Sequence, residues 1–290
     1  MVKPSRSYRV FQGVNGVVLT LVVIVTLYPF ANIIARSFSA ERHIRAGEVT
    51  LWPKGFNLTT YEIVFEDSMF WRNYGNTVLY TVVATVVAMV LTTCYAYVLS
   101  KKHLKGRGVL VGVAVFTMFF TGGLIPNYVL VTSLGLKNSV WAIALPNAIS
   151  VFNLLVMKAF FENLPTELEE AAQIDGLSTY GVLLRIVLPL SKAVVATMVL
   201  FYSVSFWNSW FSAFLYMDKS ELMPVTVYLR NLISGATTGG NAGAADAQLS
   251  QVGANIQAVT IVLTSLPILC VYPFVQRYFV SGVMLGAVKG

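Results

Sequence analysis

Hydrophobic positions along the chain gather into six long runs, near residues 14–35, 74–99, 109–131, 139–160, 192–214 and 256–276, and polar residues collect between them. Each run reaches or nearly reaches the roughly 20 apolar residues that one helix needs to cross a hydrocarbon core. The pattern predicts an all-α, polytopic membrane protein with six transmembrane helices. Lys3, Arg6 and Arg9 precede the first run as they would in a secretion signal. Its apolar stretch exceeds a signal core, however, and no small-x-small cleavage site follows, so it counts as a span. The resulting plan is a tail at 1–13, a membrane domain over 14–277 with outer loops at 36–73 and 215–255, and a tail at 278–290.

Composition agrees with this plan, because 56% hydrophobic and 11% charged residues leave too little polar surface to cover a soluble body of this length. The formal charge of +7 lies in short flanks beside the apolar runs, the distribution of a positive-inside bias rather than of a nucleic-acid surface. The loop "SKKHLKGRG", 100–108, carries Lys101, Lys102, Lys105 and Arg107 with no acidic residue. It is therefore cytoplasmic, and parity puts both termini on that side. Residues 36–73, with five basic and five acidic residues, then fall outside together with 215–255. The Gly/Ala/Asn-rich stretch within the latter predicts a loop over 231–254. Cys94 and Cys270 lie in apolar runs and read as small buried hydrophobes. His43 and His103 belong to different loops, and neither H-E-x-x-H nor G-x-S-x-G occurs, so no catalytic residue and no metal site is expected.

One loop departs from the charge pattern. Residues 161–191 contain Arg185 against Glu162, Glu167, Glu169, Glu170 and Asp175, although parity makes them cytoplasmic. Thr166 and Glu169 have capping-box spacing, which predicts a helix starting at Thr166 with Glu167, Glu169 and Glu170 at its favourable dipole end. Leu168, Ala171, Ala172 and Asp175 then follow the i, i+3, i+4, i+7 ladder and predict one low-profile face. Gly176 supplies a turn, Ser178 or Thr179 caps a second short helix through Leu188, and Pro189 ends or kinks it. On these features alone the segment is either an interfacial linker or a docking element.

The motif "EAAQIDG", 170–176, followed after nine residues by "IVLP", 186–189, resembles the EAA signature of membrane subunits of ATP-binding-cassette importers. Glu170, Ala171, Ala172, Gly176, Ile186, Leu188 and Pro189 stand at that family's spacing. With its six spans and the aromatic "FWNSW" after the loop, the chain resembles the carbohydrate type I importers, nearer the maltose permease's smaller subunit than its larger one. Within that class it is similar to permeases for complex oligosaccharides, including the alginate importer's second membrane subunit. The resemblance implies a type I importer permease fold in which residues 166–190, with Thr166, Glu169 and Asp175 among them, are coupling helices docked in a groove of a cytoplasmic ATPase. It implies a non-catalytic subunit of the bacterial inner membrane that forms half of a pathway for an oligosaccharide, alginate or a related uronide among the options. The partners implied are a homologous permease subunit, two ATPase subunits and an extracytoplasmic solute-binding protein, which residues 231–254 would contact. ATP and Mg would be used by the ATPases, since this chain has no G-x-x-x-x-G-K-[ST] loop and no cofactor of its own.

A channel or secondary transporter without an ATPase is the competing reading, with Pro126 and Pro146 marking broken helices, but the apolar runs lack a carboxylate or arginine for ion coupling. For the pathway, Asn76, Asn147, Asn153 and Asn208 place amides in apolar runs, where an unpartnered amide is costly and interhelical hydrogen bonding is the alternative role. A continuous helix through "SFWNSWFSAF", 205–214, puts Trp207 and Phe211 on one face, suited to stacking on sugar rings or to an interfacial aromatic belt. Gly122, Gly123 and Pro126 predict a kink in the third run.

Overall fold

The computed structural model describes residues 6–238 and 253–287, and among them the secondary structure is helical, with one isolated bridge, Ser39 to Phe56, and no strand. The chain divides into two compact units, one of residues up to 68 with 229–266, the other of 69–228 with the residues from 267 on.

The first unit is led by α1 (Arg6–Ser37), which is apolar almost throughout and would extend about 48 Å at 1.5 Å per residue. Its end is tied down by polar contacts that the following segment supplies. The Asn32 amide donates to the Val49 and Thr50 carbonyls at 3.1 and 2.7 Å, and the Tyr61 hydroxyl donates to Ser37 Oγ at 3.0 Å. Phe38 stacks between Phe56 and Tyr61. Two short helices, α2 (Glu41–Arg45) and α3 (Thr59–Glu66), complete this segment.

The second unit is built on α4 (Ser68–Ser100). Ala84, Ala88 and Ala96 are fully buried along it, so neighbouring helices approach its backbone closely, as small residues permit between membrane helices. Tyr80, Ala84 and Ala88 share one core with Ile143, Tyr202, Phe206 and Met217, while Ala96, Tyr97 and Leu99 share another with Leu154, Met157, Phe161, Val182 and Met198. Between these cores Thr92 Oγ1 meets the Tyr202 hydroxyl at 2.6 Å, and the Ser150 N–H donates to that same hydroxyl at 3.0 Å.

Several of the apolar runs are broken rather than straight. The third divides into α5 (Arg107–Phe119) and α6 (Leu124–Ser133), which meet at 112°. The expected kink is a sharp bend because Gly123 takes φ +84°, a backbone state open to glycine. The fourth divides into α7 (Trp141–Ala144) and α8 (Val151–Glu162), with Pro146 in the gap. After α9 (Thr166–Ile174), α10 (Thr179–Val182), a π-helical stretch (Leu183–Val187) and α11 (Leu188–Leu190), the chain turns by 87° into α12 (Lys192–Trp207). α13 (Trp210–Tyr216) follows. Among the described residues two helices, Ser7–Ser37 and Ser68–Ser100, are each long and apolar enough to cross a membrane, or up to four spans if each bent pair is one.

α14 (Val225–Thr238) shows that the first part of the expected 231–254 loop is helical; residues 239–252 lie outside the described residues. α15 (Gly253–Ala287) closes the fold, and the expected tail at 278–290 is helical as far as Ala287. Cys94 and Cys270 are free and exposed, not buried as the apolar surroundings predict, because a small side chain on an apolar helix can as well face outward.

The loops of the second unit pair at its two ends. At one, Lys101 and Arg107 meet Glu169 and Glu162. At the other, Lys137 Nζ lies 3.0 Å from Asp218, whose backbone N–H donates to Asn138 Oδ1 at 2.8 Å. The hydrogen bond from Lys137, then that from Asn138, holds the Asp218 carboxyl below its usual range. The clasp is therefore complete above the ordinary carboxylate pKa and fades only as pH falls through the lowered one. Near it the Asn76 amide and the Tyr80 hydroxyl hold the backbone of residues 221–223. In a chain with Cys94 and Cys270 replaced by alanine, single cysteines at 103 and 174 should label from one membrane face and those at 138 and 219 from the other. Labelling of 103 and 174 from opposite faces would overturn the end assignment.

Candidate coupling surface and pathway residues

Local chemistry builds the two-helix segment, but not by the expected capping box. α9 is preceded by Pro165 as its N-cap, Thr166 is its first helical residue, and no side chain caps it. Glu169 is drawn elsewhere: its carboxylate accepts from the Tyr97 hydroxyl at 3.1 Å and pairs with Lys101, whose ammonium also lies 4.1 Å from the Tyr97 ring centroid. Glu162 joins Arg107 and, at 2.9 Å, Lys158, while Arg107 Nε donates to the Leu99 carbonyl at 2.7 Å. The acidic loop that breaks the charge pattern is thus neutralised in part by the basic loop on the same end of the unit.

The helix stops as its sequence demands. Gly176 has φ +82°, its N–H bonds to the Gln173 carbonyl, and the Leu177 N–H reaches back to Ala172, which together make a Schellman closure. Of the two residues able to cap the next helix, Ser178 does so: its Oγ accepts from the Gly181 N–H at 3.2 Å. The π-helical stretch precedes Pro189, a residue with no N–H to offer the turn before it. Ile186 and Leu188 pack partly against the core, while Pro189 is exposed.

The predicted low-profile face is not one face. Ala172 is buried in the core beside Tyr97, Phe161 and Val182, whereas Leu168, Ala171 and Asp175 are exposed with Glu167 and Glu170. The reason is that the Glu169 pair and the Schellman turn fix the rotation of α9, and Ala172 is the residue small enough to meet the helices beneath. What faces outward instead is a set of large apolar side chains, Ile174 at 87%, Tyr180 at 76% and Leu184 at 63% exposure. Their signal in the sequence was apolar character on a helix whose inward positions are already filled.

The pathway candidates do not come together. Asn76 serves the 221–223 backbone, and Asn208 is exposed with its amide on the Val204 carbonyl of its own helix end at 2.8 Å. Asn147 is exposed in the α7–α8 gap, and Asn153 is buried in α8. The helix breaks after Trp207, so Trp207 and Phe211 do not share a face: Trp207 is buried edge-on to Tyr74, with ring centroids 5.8 Å apart, and Phe211 is exposed beside Trp210. Trp207 also borders an apolar cavity of about 230 Å³ whose walls include Thr81, Ser203 and Pro267.

Comparison with known proteins adds to this geometry. Residues 105–285 match the family model described as binding-protein-dependent transport system inner membrane component. The chain is 43% identical over 288 residues to Protein LplC of Bacillus subtilis (strain 168), covering 99% of this chain and 97% of that protein. It is 39% identical over 289 residues to the polygalacturonan/rhamnogalacturonan transport system permease protein YtcP of the same organism, covering 97% and 99%. A chain in the crystal structure of a bacterial ABC transporter involved in the import of the acidic polysaccharide alginate superposes with a TM-score of 0.84 at 33% identity, covering 96% of this chain and all of that one.

Glu169→Gln and Lys101→Met each strand one partner of a mostly buried pair and should destabilise by about 1–3 kcal/mol, read as a lower unfolding temperature of the purified chain. The double change Lys101→Met with Glu169→Leu should recover most of that loss. Ala172→Glu buries an unpaired carboxylate and should lower the yield of folded protein itself, an outcome measured by size-exclusion profile.

Proposed function

Because the chain belongs to the family of binding-protein-dependent transport system inner membrane components, we propose that it forms half of the translocation pathway for an acidic oligosaccharide in an ATP-driven importer. The acidic character rests on two relatives, one named for polygalacturonan and rhamnogalacturonan transport and one from an importer of alginate. The chain is the permease, a non-catalytic subunit; ATP and Mg are consumed by two cytoplasmic ATPase subunits, and a homologous permease and an extracytoplasmic solute-binding protein complete the complex. In this reading each broken apolar run is one crossing, which gives six spans with both termini in the cytoplasm.

The observation that carries the coupling role is the outward apolar group Ile174, Tyr180 and Leu184 on a segment anchored from beneath. Exposed apolar side chains of this size at a loop end mark a protein contact, and Tyr is a frequent anchor residue in such contacts. Glu167, Glu170 and Asp175 rim the group with negative charge, complementary to a basic groove. Motion of a docked partner would pass through the Glu169–Lys101 pair to the end of α4, because that pair joins the segment to it, while the Glu162–Arg107 pair ties the end of α8, which leads into the segment, to the start of α5.

Ile174→Glu and Tyr180→Ala test this reading, since both side chains are exposed and leave the core intact. Each should reduce copurification of the ATPase and substrate-stimulated hydrolysis by about tenfold, a loss of about 1.4 kcal/mol, with the unfolding temperature of the permease unchanged. Normal assembly and hydrolysis in both variants would make the segment a linker only.

A further inference from the structure

The first unit contains a cation whose buried N–H has no partner among the described residues. The Nε of Arg36, at the last turn of α1, is shielded from solvent and has no hydrogen-bond acceptor among the described residues. Carboxylates lie nearby in sequence but are engaged elsewhere: Glu41 accepts from Arg45 at 2.7 Å, and Glu48 is 2.8 Å from His43 and 3.7 Å from Lys54. Leaving such a donor unmade is expensive, more so on a charged group, and native structures rarely do so without a reason.

The same arginine, which has no ion pair with either of these carboxylates, borders a cavity. The cavity, of about 160 Å³, is bordered by Ile33 and Arg36 of α1 and by Gln257, Ala258 and Ile261 of α15. That is about 11 to 16 times the roughly 10–15 Å³ that admits one water. Asn255, one turn before Ala258, donates to the Ser39 carbonyl at 2.9 Å, so the start of α15 is fastened to the end of α1 and the cavity has defined walls. Gln257 brings a second side chain with N–H donors, while Ile33, Ala258 and Ile261 give the remaining wall an apolar character. An arginine bordering such a wall, with terminal N–H groups to offer, matches a ligand with a planar two-oxygen anion on an otherwise C–H-lined ring. Arginine is the side chain whose donors fit a carboxylate in pairs.

We propose that Arg36 and Gln257 form a carboxylate site that takes a uronate unit of the transported oligosaccharide. The proposal rests on the importer reading and deepens it, for it puts recognition of the acidic group on this chain. The site holds one sugar carboxylate by its oxygens and involves no covalent step. Charge, not ring identity, is what Arg36 reads, and Gln257 orients the group.

The test uses the importer purified with its partner chains in a phosphate-free glycol-ether detergent, with a trigalacturonide and its carboxyl-reduced neutral counterpart as probes. Arg36→Gln should weaken trigalacturonide binding about tenfold and raise the half-saturation of its uptake in vesicles to match, while Arg36→Lys keeps part of the affinity. Gln257→Leu should weaken it less, and binding of the neutral trisaccharide should be the same in all variants. Equal trigalacturonide affinity in wild type and Arg36→Gln would overturn the site while leaving the importer function standing. Failure of the wild type to bind or import either trisaccharide would count against the function itself. Native mass spectrometry with added phosphatidylglycerol supplies the remaining arm: lipid retained by wild type and lost in Arg36→Gln would assign the pocket to a headgroup phosphate and overturn the uronate site.

Discussion

Glu169 sits between the ammonium of Lys101 and the hydroxyl of Tyr97, and the position of the two-helix segment follows from that contact. Both charges are mostly withdrawn from solvent, so the pair is costly unless its geometry and accessory hydrogen bonds compensate for desolvation. The accessory bonds are present: Tyr97 donates to the carboxylate, and its ring also faces the ammonium. A second pair, Glu162 with Arg107, repeats the arrangement between neighbouring elements. Such pairs add little net stability compared with apolar packing, but they specify register, because a rotated α9 would strand a buried charge.

From that constraint the exposed chemistry of the segment follows. With Glu169 held inward, Ala172 lies on the same buried side three residues later, and the Schellman turn at Gly176 redirects the chain before a further turn of helix can form. Ile174, Tyr180 and Leu184 have no inward position left and face away from the core. The apolar surface and its acidic rim are thus a product of what the core has already taken.

The helical membrane class, the bend at Gly122 and Gly123, the Gly176 turn and the Ser178 cap were legible in the sequence because each depends on residues close in the chain. What was not legible depends on distant partners. A capping box at Thr166 required Glu169 to serve its own helix, but Lys101, 68 residues away, claims it. The helical continuity assumed from Trp207 to Phe211 failed at Asn208, whose amide closes the end of α12. Asn76 looked like a polar group facing a pathway, yet its partner is a backbone segment 145 residues further on. Arg36 was invisible as a site for the same reason, since only folding brings Gln257 beside it.

The break between α7 and α8 has a consequence for how the chain is made. The Ser150 N–H that the break frees is satisfied by the Tyr202 hydroxyl, a partner 52 residues later. During synthesis the residue that caps α8 therefore emerges before the hydroxyl that its N–H will bond. The contact that fixes the start of α8 waits for α12. The order of translation and the order of structural completion are reversed at this point in the chain.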